Sequence, residues 1–230
     1  MAFLNDIRSF YGTGERNRTG ESLEEFLAHY DPKKYDNPSN TTDIVVVRCE
    51  EPLVCWGQKM QVLLVKRSNH PSIGCWATPG GFVELKEDLE AGAARELEEE
   101  TGVRGLPLRQ MHTWGNYNRD PRWRVITTSF LALVEGNIPV KAGDDAADAL
   151  WMTVSLAQEG DIWVLKLANE EKDIALEAKI QVSRSSHPLL CQETYTLLEN
   201  RGLAVDHGCI ILQALLYLKE ELEHFSEQDK

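Results

Sequence analysis

The chain has 230 residues and a formal net charge of −13, from 37 acidic side chains against 24 basic ones. That length suits one domain with a single sizeable core, and a hydrophobic fraction of 42% is ordinary for a globular protein. A pI near 4.9 disfavours coating nucleic acid or anionic lipid, since the phosphates would repel the protein, but it allows a small phosphate ligand reached through a bound metal ion.

The N-terminus is charged and glycine-bearing, with no apolar signal region. Nowhere does the chain approach the roughly 20 apolar residues of a membrane span. A soluble, cytoplasmic protein with no membrane partner is expected. Residues 22–30 (SLEEFLAHY) suit a short helix, with Ser22 as N-cap and Glu25 completing a capping box. The Pro-, Asn- and Asp-rich stretch that follows reads as a connector, so the main domain is expected over 43–225, after an N-terminal helix and connector (1–42) and before a short tail (226–230). Runs at 43–49 (DIVVVRC) and 60–67 (MQVLLVKR) predict two strands. A third extended segment, 75–83, is bent by Pro79-Gly80-Gly81.

A helix is predicted from about Leu85 to Thr101, ended by Gly102 in the left-handed position that glycine favours. Strands are expected at 106–117, 124–134 and 150–154, which gives an α/β or α+β layered sheet. Residues 155–205 read as a separate insertion containing a hairpin, because 174–182 alternates apolar and polar residues with period two. A last helix is predicted over about 206–223. The five cysteines (Cys49, Cys55, Cys75, Cys191, Cys209) are odd in number and form no CxxC pair, suggesting neither a disulfide framework nor a zinc site.

The informative segment is GFVELKEDLEAGAARELEEETGV, residues 81–103. On a helix turning about 100° per residue, Glu96, Glu99 and Glu100 share one arc, while Ala93, Ala94 and Leu97 share a neighbouring one. Like charges at i, i+3 and i+4 repel, so the arrangement is better explained when a cation sits among them. Oxygen ligands of this kind suit Mg²⁺, and next Mn²⁺, bridged to substrate phosphates. The competing explanation is a solvated helix face, the ordinary meaning of a charge run. Against it stands the full spacing: Gly81, five residues, Glu87, seven residues, Arg95-Glu96-Leu97, one residue, Glu99-Glu100, one residue, Gly102-Val103.

That spacing resembles the Nudix box, G-x5-E-x7-R-E-U-x-E-E-x-G-U with U aliphatic, at every specified position. The resemblance implies an α/β/α sandwich with a mixed sheet and a loop-helix-loop box, and a metal-dependent hydrolase that cleaves a pyrophosphate bond. It implies Glu96, Glu99 and Glu100 as catalytic metal ligands for Mg²⁺ or Mn²⁺, and Glu87 and Arg95 as an ion pair bracing the box. Gly81 and Gly102 match its turn glycines. Similarity extends through LLVKRSNHPSIGCWATPGGFVE, NRDPRWRVITTSFLALV and AVDHGCIILQALLYL to the ADP-ribose pyrophosphatase branch, and equally to Nudix-derived transcription regulators. The substrate expected is therefore ADP-ribose or a related nucleoside diphosphate derivative, and a homodimer is one assembly the branch allows.

Outside the box, Arg67, Gly80, Gly81, Arg119 and Arg122 are substrate-binding candidates: the arginines as bidentate donors to phosphate oxygens, the glycines for close backbone approach. For each arginine, an ordinary ion pair or turn contact is the alternative, and it weighs more for Arg67 and Arg124 than for Arg119 and Arg122. Trp114 and Tyr117 read as packing residues before base-stacking ones, Asp144 and Asp145 as turn residues before metal ligands, and His207 as a capping or packing residue. The acidic segment 219–230 is too short for a winged helix and has the wrong sign for DNA, so no nucleic-acid partner is expected. Two other functions stay open: a catalytically idle nucleotide sensor, and a pyrophosphatase for another nucleotide.

Overall fold

The computed structural model describes residues 3–143, 146–187, 190 and 192–228, with side chains as far as Phe225 in the last helix. Asp144, Asp145 and Cys191 lie outside the described residues. The chain divides into two units, 1–37 and 38–230. In the first, α1 (Leu23–His29) carries the expected capping box: the Ser22 side chain accepts from the Glu25 amide, and the Glu25 carboxylate accepts from the Ser22 amide. Arg16 bridges to the same carboxylate at 2.8 Å, which offsets the shortness of a two-turn helix.

In the second unit nine strands form one mixed sheet among the described residues: β1 (Ser39–Cys49), β2 (Met60–Arg67), β3 (Trp76–Ala77), β4 (Arg109–Trp114), β5 (Val125–Glu135), β6 (Ala146–Glu159), β7 (Ile162–Asn169), β8 (Ile174–Arg184) and β9 (Glu193–Arg201). The order is β4-β5-β1-β2-β6-β7-β8-β9, with β3 against β2. Only β1 and β5 run parallel. Two helices, α2 (Leu89–Thr101) and α3 (His207–Gln228), cover opposite faces. Alternation along β1 shows this directly: Ile44 and Val46 pack with Ala93 and Leu97 of α2, whereas Val45 and Val47 pack with Ile210, Ile211 and Leu215 of α3. Burial on both faces explains why β1 and β2 read as unbroken apolar runs.

The sheet also curls around α3. Trp114 of β4 and Tyr195 of β9, from strands at opposite ends of the order, meet edge to face with centroids 5.8 Å apart, and Arg109 of β4 lies 4.5 Å over the Tyr217 ring of α3. This enclosure accounts for the apolar residues on nearly all sides of CIILQALLYL.

Several expectations are corrected. β7 and β8 form the hairpin, but 155–205 is not a separate elaboration. β6 passes without a break from pairing with β2 to pairing with β7, and Leu165, Leu167, Leu176, Ala178 and Ile180 lie buried in the same core as α3. β9 (ETYTLLENR) was not expected as a strand. Its polar composition hides a half-buried alternation of Tyr195 and Leu197, satisfied only because β8 supplies a partner. β1 begins four residues earlier than expected, because the polar Ser39–Thr42 pairs with Val125–Thr128 of β5. α2 begins later, at Leu89, because Glu84–Asp88 forms a turn that keeps Glu87 free of the helix.

If the hairpin shares the core, Leu167→Ala should cost about 2–5 kcal/mol, the range for truncating a fully buried leucine, as should Leu97→Ala on the other face. Urea denaturation followed by fluorescence and circular dichroism should give one coincident transition for both variants. A separate early transition in Leu167→Ala would contradict the shared core.

Candidate active site

The site is built where β1 and β2 part. Val47–Cys49 pairs with Met60–Val62, but the earlier half of β1 diverges and the segment 76–83 fills the gap. Trp76 and Ala77 pair with β2, while Ile44 donates to Pro79 O (2.8 Å), Thr42 to Gly81 O (2.9 Å) and Val83 to Asn40 O (3.0 Å). Gly80 sits so close to β1 that a Cβ would lie 2.0 Å from Thr42 O, and its φ is +151°, so only glycine fits there. At Gly81 a Cβ would lie 2.3–2.7 Å from the Glu96 carboxylate. The two glycines thus bring the backbone against β1 on one side and the glutamate helix on the other.

Arg95 organises the box. Its guanidinium donates to Glu87 (2.9 Å from Nε and from Nη2), Glu96 (2.8 Å), Glu99 (2.9 Å) and Phe82 O (3.0 Å). Glu87 also accepts from the Glu84 amide, and together these donors pull its carboxyl down to about 2. Gly92 makes room for it: a Cβ there would approach Glu87 Oε2 to 2.9 Å. Gly102 ends α2 in the left-handed conformation, φ +73°, its amide bonded to Glu98 O.

The three glutamates are not equivalent. Glu96 and Glu100 line a cleft of about 380 Å³, whereas Glu99 lies outside its lining, turned toward Arg95 and 58% exposed. Burial raises the Glu96 carboxyl, and it pushes that of Glu100 up to about 7 even though Glu100 accepts a 2.9 Å hydrogen bond from the Gly80 amide. Two desolvated carboxylates raise each other's cost of ionisation, and a divalent cation would offset it. Among the described residues no three His, Cys, Asp or Glu side chains are gathered closely enough to hold a metal ion between them. One or two carboxylates plus ligand oxygens and water is, however, how Mg²⁺ is commonly held, so the donors present fit Mg²⁺ or Mn²⁺.

Arg67, Arg119 and Arg122 line the same cleft. Arg67 donates to Pro71 O at 2.8 Å, and its charge acts favourably on Glu100. Arg122 is bidentate to Asp120 and lies 5.3 Å over the Phe82 ring. The Arg119 side chain is only 8% exposed, and its guanidinium forms a bidentate pair with Asp206 (3.0 and 2.9 Å), with Asp43 3.8 Å away. It is a structural clamp before it is a phosphate ligand. Trp114 is buried, donating to Ser129 Oγ, as expected of a packing residue. Tyr117 is exposed and outside the cleft lining.

Sequence reasoning missed a buried polar cluster at the cleft floor. Asp43 accepts from Thr127 Oγ1 (2.7 Å) and Thr78 Oγ1 (3.2 Å), and Thr78 also meets His207 Nδ1 through its amide (3.2 Å) and hydroxyl (2.9 Å). A charge opening the apolar run DIVVV, and Asp206-His207 opening an apolar helix, were the available signals.

A family model described as the NUDIX domain matches residues 52–174, just over half of the chain. The chain belongs to the Nudix family. It is 35% identical over 143 residues to the ADPR responsive transcriptional repressor NtrR of Acinetobacter baylyi (61% of this chain, 55% of that protein). It is 44% identical over 89 residues to the ADP-ribose pyrophosphatase of Methanocaldococcus jannaschii (39% and 52%). The matches thus span about half the length of these curated relatives. Among solved structures, a MutT/nudix family protein from Enterococcus faecalis superposes with a TM-score of 0.65 at 31% identity, covering 87% of this chain and 70% of that one. The NUDIX domain of Shewanella oneidensis NrtR complexed with ADP ribose does so with a TM-score of 0.58 at 27% identity, covering 86% and 99%. The Nudix match takes in the box but not β1 or α3, which supply Asp43 and His207 to the cleft.

Two outcomes follow from this geometry. Gly80→Ala should destabilise the fold, lowering Tm clearly, because backbone blocks its Cβ. Gly81→Ala should lower Tm little while weakening Mn²⁺ binding, because its Cβ displaces the flexible end of Glu96. Equal Tm values for the two would refute this division. Glu87 has a folded-state pKa below its unfolded value, so its contribution to stability is full above about pH 4.5 and is lost as pH falls through about 2. Glu87→Gln should therefore be less stable than the native chain at pH 7, with the gap closing between pH 4.5 and 2 in denaturant titrations.

Proposed function

We propose that the cleft binds ADP-ribose or a related nucleoside diphosphate derivative and hydrolyses its pyrophosphate bond, yielding a nucleoside monophosphate and a sugar phosphate. The observation that carries this reading is the pair of half-buried carboxylates, Glu96 and Glu100, on a cleft that Arg67 and Arg122 also line. Glu96 and Glu100 would hold Mg²⁺ or Mn²⁺, joined by Glu99 from the same helix face. When bound, the cation supplies charge neutralisation on the diphosphate and polarises a phosphoryl oxygen. Arg67 and Arg122 bind phosphate or ribose-phosphate oxygens, and Gly80-Gly81 lets the ligand approach the backbone. Arg95 and Glu87 orient the glutamates. The pyrophosphatase relative and the ADP-ribose complex of the NrtR domain support this choice of ligand.

A second reading, an ADP-ribose sensor without turnover, is favoured by the longer match to an ADPR-responsive repressor. The deciding experiment incubates the protein with ADP-ribose and a panel of other nucleotides at saturating Mg²⁺ and Mn²⁺ and identifies products by chromatography. AMP and ribose 5-phosphate are expected from ADP-ribose; tight binding with no product would favour the sensor. Glu100→Gln should lower kcat by about 100-fold or more, the loss of several kcal/mol of transition-state stabilisation, without lowering Tm, since it removes a carboxylate that is costly to ionise in place. Unchanged turnover would remove Glu100 from the metal site.

A further inference from the structure

His207 opens α3 and lines the cleft, yet among the described residues the hydrogen bonds that its ring makes to the protein are all through Nδ1. One of those partners is the Thr78 backbone amide, which can only donate. Thr78 is 2% exposed, so a proton on Nδ1 would leave a buried amide facing another N–H, at the cost of an unsatisfied donor. Nδ1 is therefore the acceptor, and the proton of the uncharged ring sits on Nε2. The Asp43 carboxylate, 3.7 Å from Nδ1, is served by the hydroxyls of Thr78 and Thr127, which keeps Thr78 in the position that the ring needs. The buried side-chain polar atoms without a partner, among the described residues, are Thr42 Oγ1 and Gln213 Oε1. His207 Nε2 is not one of them, so it retains an opening.

We propose that His207 is a ligand-binding residue of the cleft: Thr78 and Asp43 lock its ring as the Nε2–H tautomer, and that N–H donates to a phosphoryl or ribose oxygen of the bound nucleoside diphosphate. The donor role rests on the reading of the cleft given above, whereas the tautomer does not. The Arg119–Asp206 pair adjoins this lock and fixes the start of α3 against the loop that carries Arg122, so the ring and Arg122 are held to one frame. The signal in the sequence was a histidine at the start of an apolar helix, which capping or packing explains equally well; what separates the readings is the direction of the bond from Thr78.

The test uses the full chain. Long-range ¹H–¹⁵N correlation of histidine-labelled protein should show His207 protonated at Nε2 and bare at Nδ1, and a protonated Nδ1 overturns the lock. The α,β-methylene analogue of ADP-ribose, which resists hydrolysis, is then titrated with Mg²⁺ present. The Nε2 resonance should shift on saturation. By calorimetry, His207→Asn, which keeps an acceptor for the Thr78 amide but loses the cleft donor, should bind at least tenfold more weakly with Tm little changed. His207→Gln, which restores a donor near Nε2, should recover most of that loss. Native affinity in His207→Asn overturns the donor role, since a purely structural histidine is what asparagine would rescue. A native chain that binds no analogue overturns the proposed function and the donor role together, leaving the tautomer to stand or fall on its spectrum. Should His207→Asn not fold, an unmoved Nε2 resonance in the saturated native chain overturns the donor role by itself.

Discussion

The site depends on one steric constraint, the passage of 76–83 through the gap between β1 and β2. The segment must serve both strands at once, pairing with β2 through Trp76-Ala77 and with β1 through Pro79, Gly81 and Val83. The crossing point is Gly80, whose missing side chain leaves the β1 backbone only just enough room. From that crossing the Gly80 amide reaches Glu100, Gly81 abuts Glu96, and Thr78 reaches Asp43 and His207. Elements far apart in sequence therefore take their relative placement from a few residues of backbone. A strand interior would normally exclude Pro and Gly; here their presence marks where the sheet opens into a cleft.

Electrostatics builds on that geometry. Residues 84–100 hold eight acidic side chains and two basic ones. One of the two, Arg95, is spread over Glu87, Glu96 and Glu99, so a single guanidinium holds the box together and fixes Glu87 as a strong acid. Glu100 is left to the Gly80 amide and burial, and its carboxyl rises toward neutrality. In the proposed function this is how an acidic protein would serve a diphosphate: the carboxylates would hold a cation, and the cation would supply the attraction that the net charge lacks.

Much of this was legible in the chain. Local spacing made the α1 capping box and the continuous apolar strands readable, and the family resemblance implied the box glycines and the Arg95–Glu87 pair. What escaped depended on long-range partners. β9 is polar enough to pass for a loop until β8 pairs with it. The hairpin resembled an appendage because a period-two pattern says which face is buried but not against what, and α3 turned out to be the answer. Arg119 offered a group for phosphate, and no local pattern showed that Asp206, 87 residues away, pairs with it. Asp43, Thr78 and His207 come from β1, the glycine segment and α3, and no spacing rule relates them.

The enzyme and sensor readings ask different things of the same residues. Recognition of a diphosphate alone is best met by cations and amide donors turned toward it, and two half-buried carboxylates beside it work against binding unless a metal intervenes. Each gives up part of its hydration to occupy its place, which the Arg95 pair at Glu96 and the Gly80 amide at Glu100 offset only in part. Their position against Gly80 and Gly81, where a side chain on either glycine would collide with backbone or with the carboxylate itself, shows that the surrounding chain is shaped to keep them there. Held charge of this kind is what the proposed hydrolysis would use, through a cation, and what the proposed sensing would have to neutralise, so the two readings part on what Glu96 and Glu100 do once a diphosphate is bound.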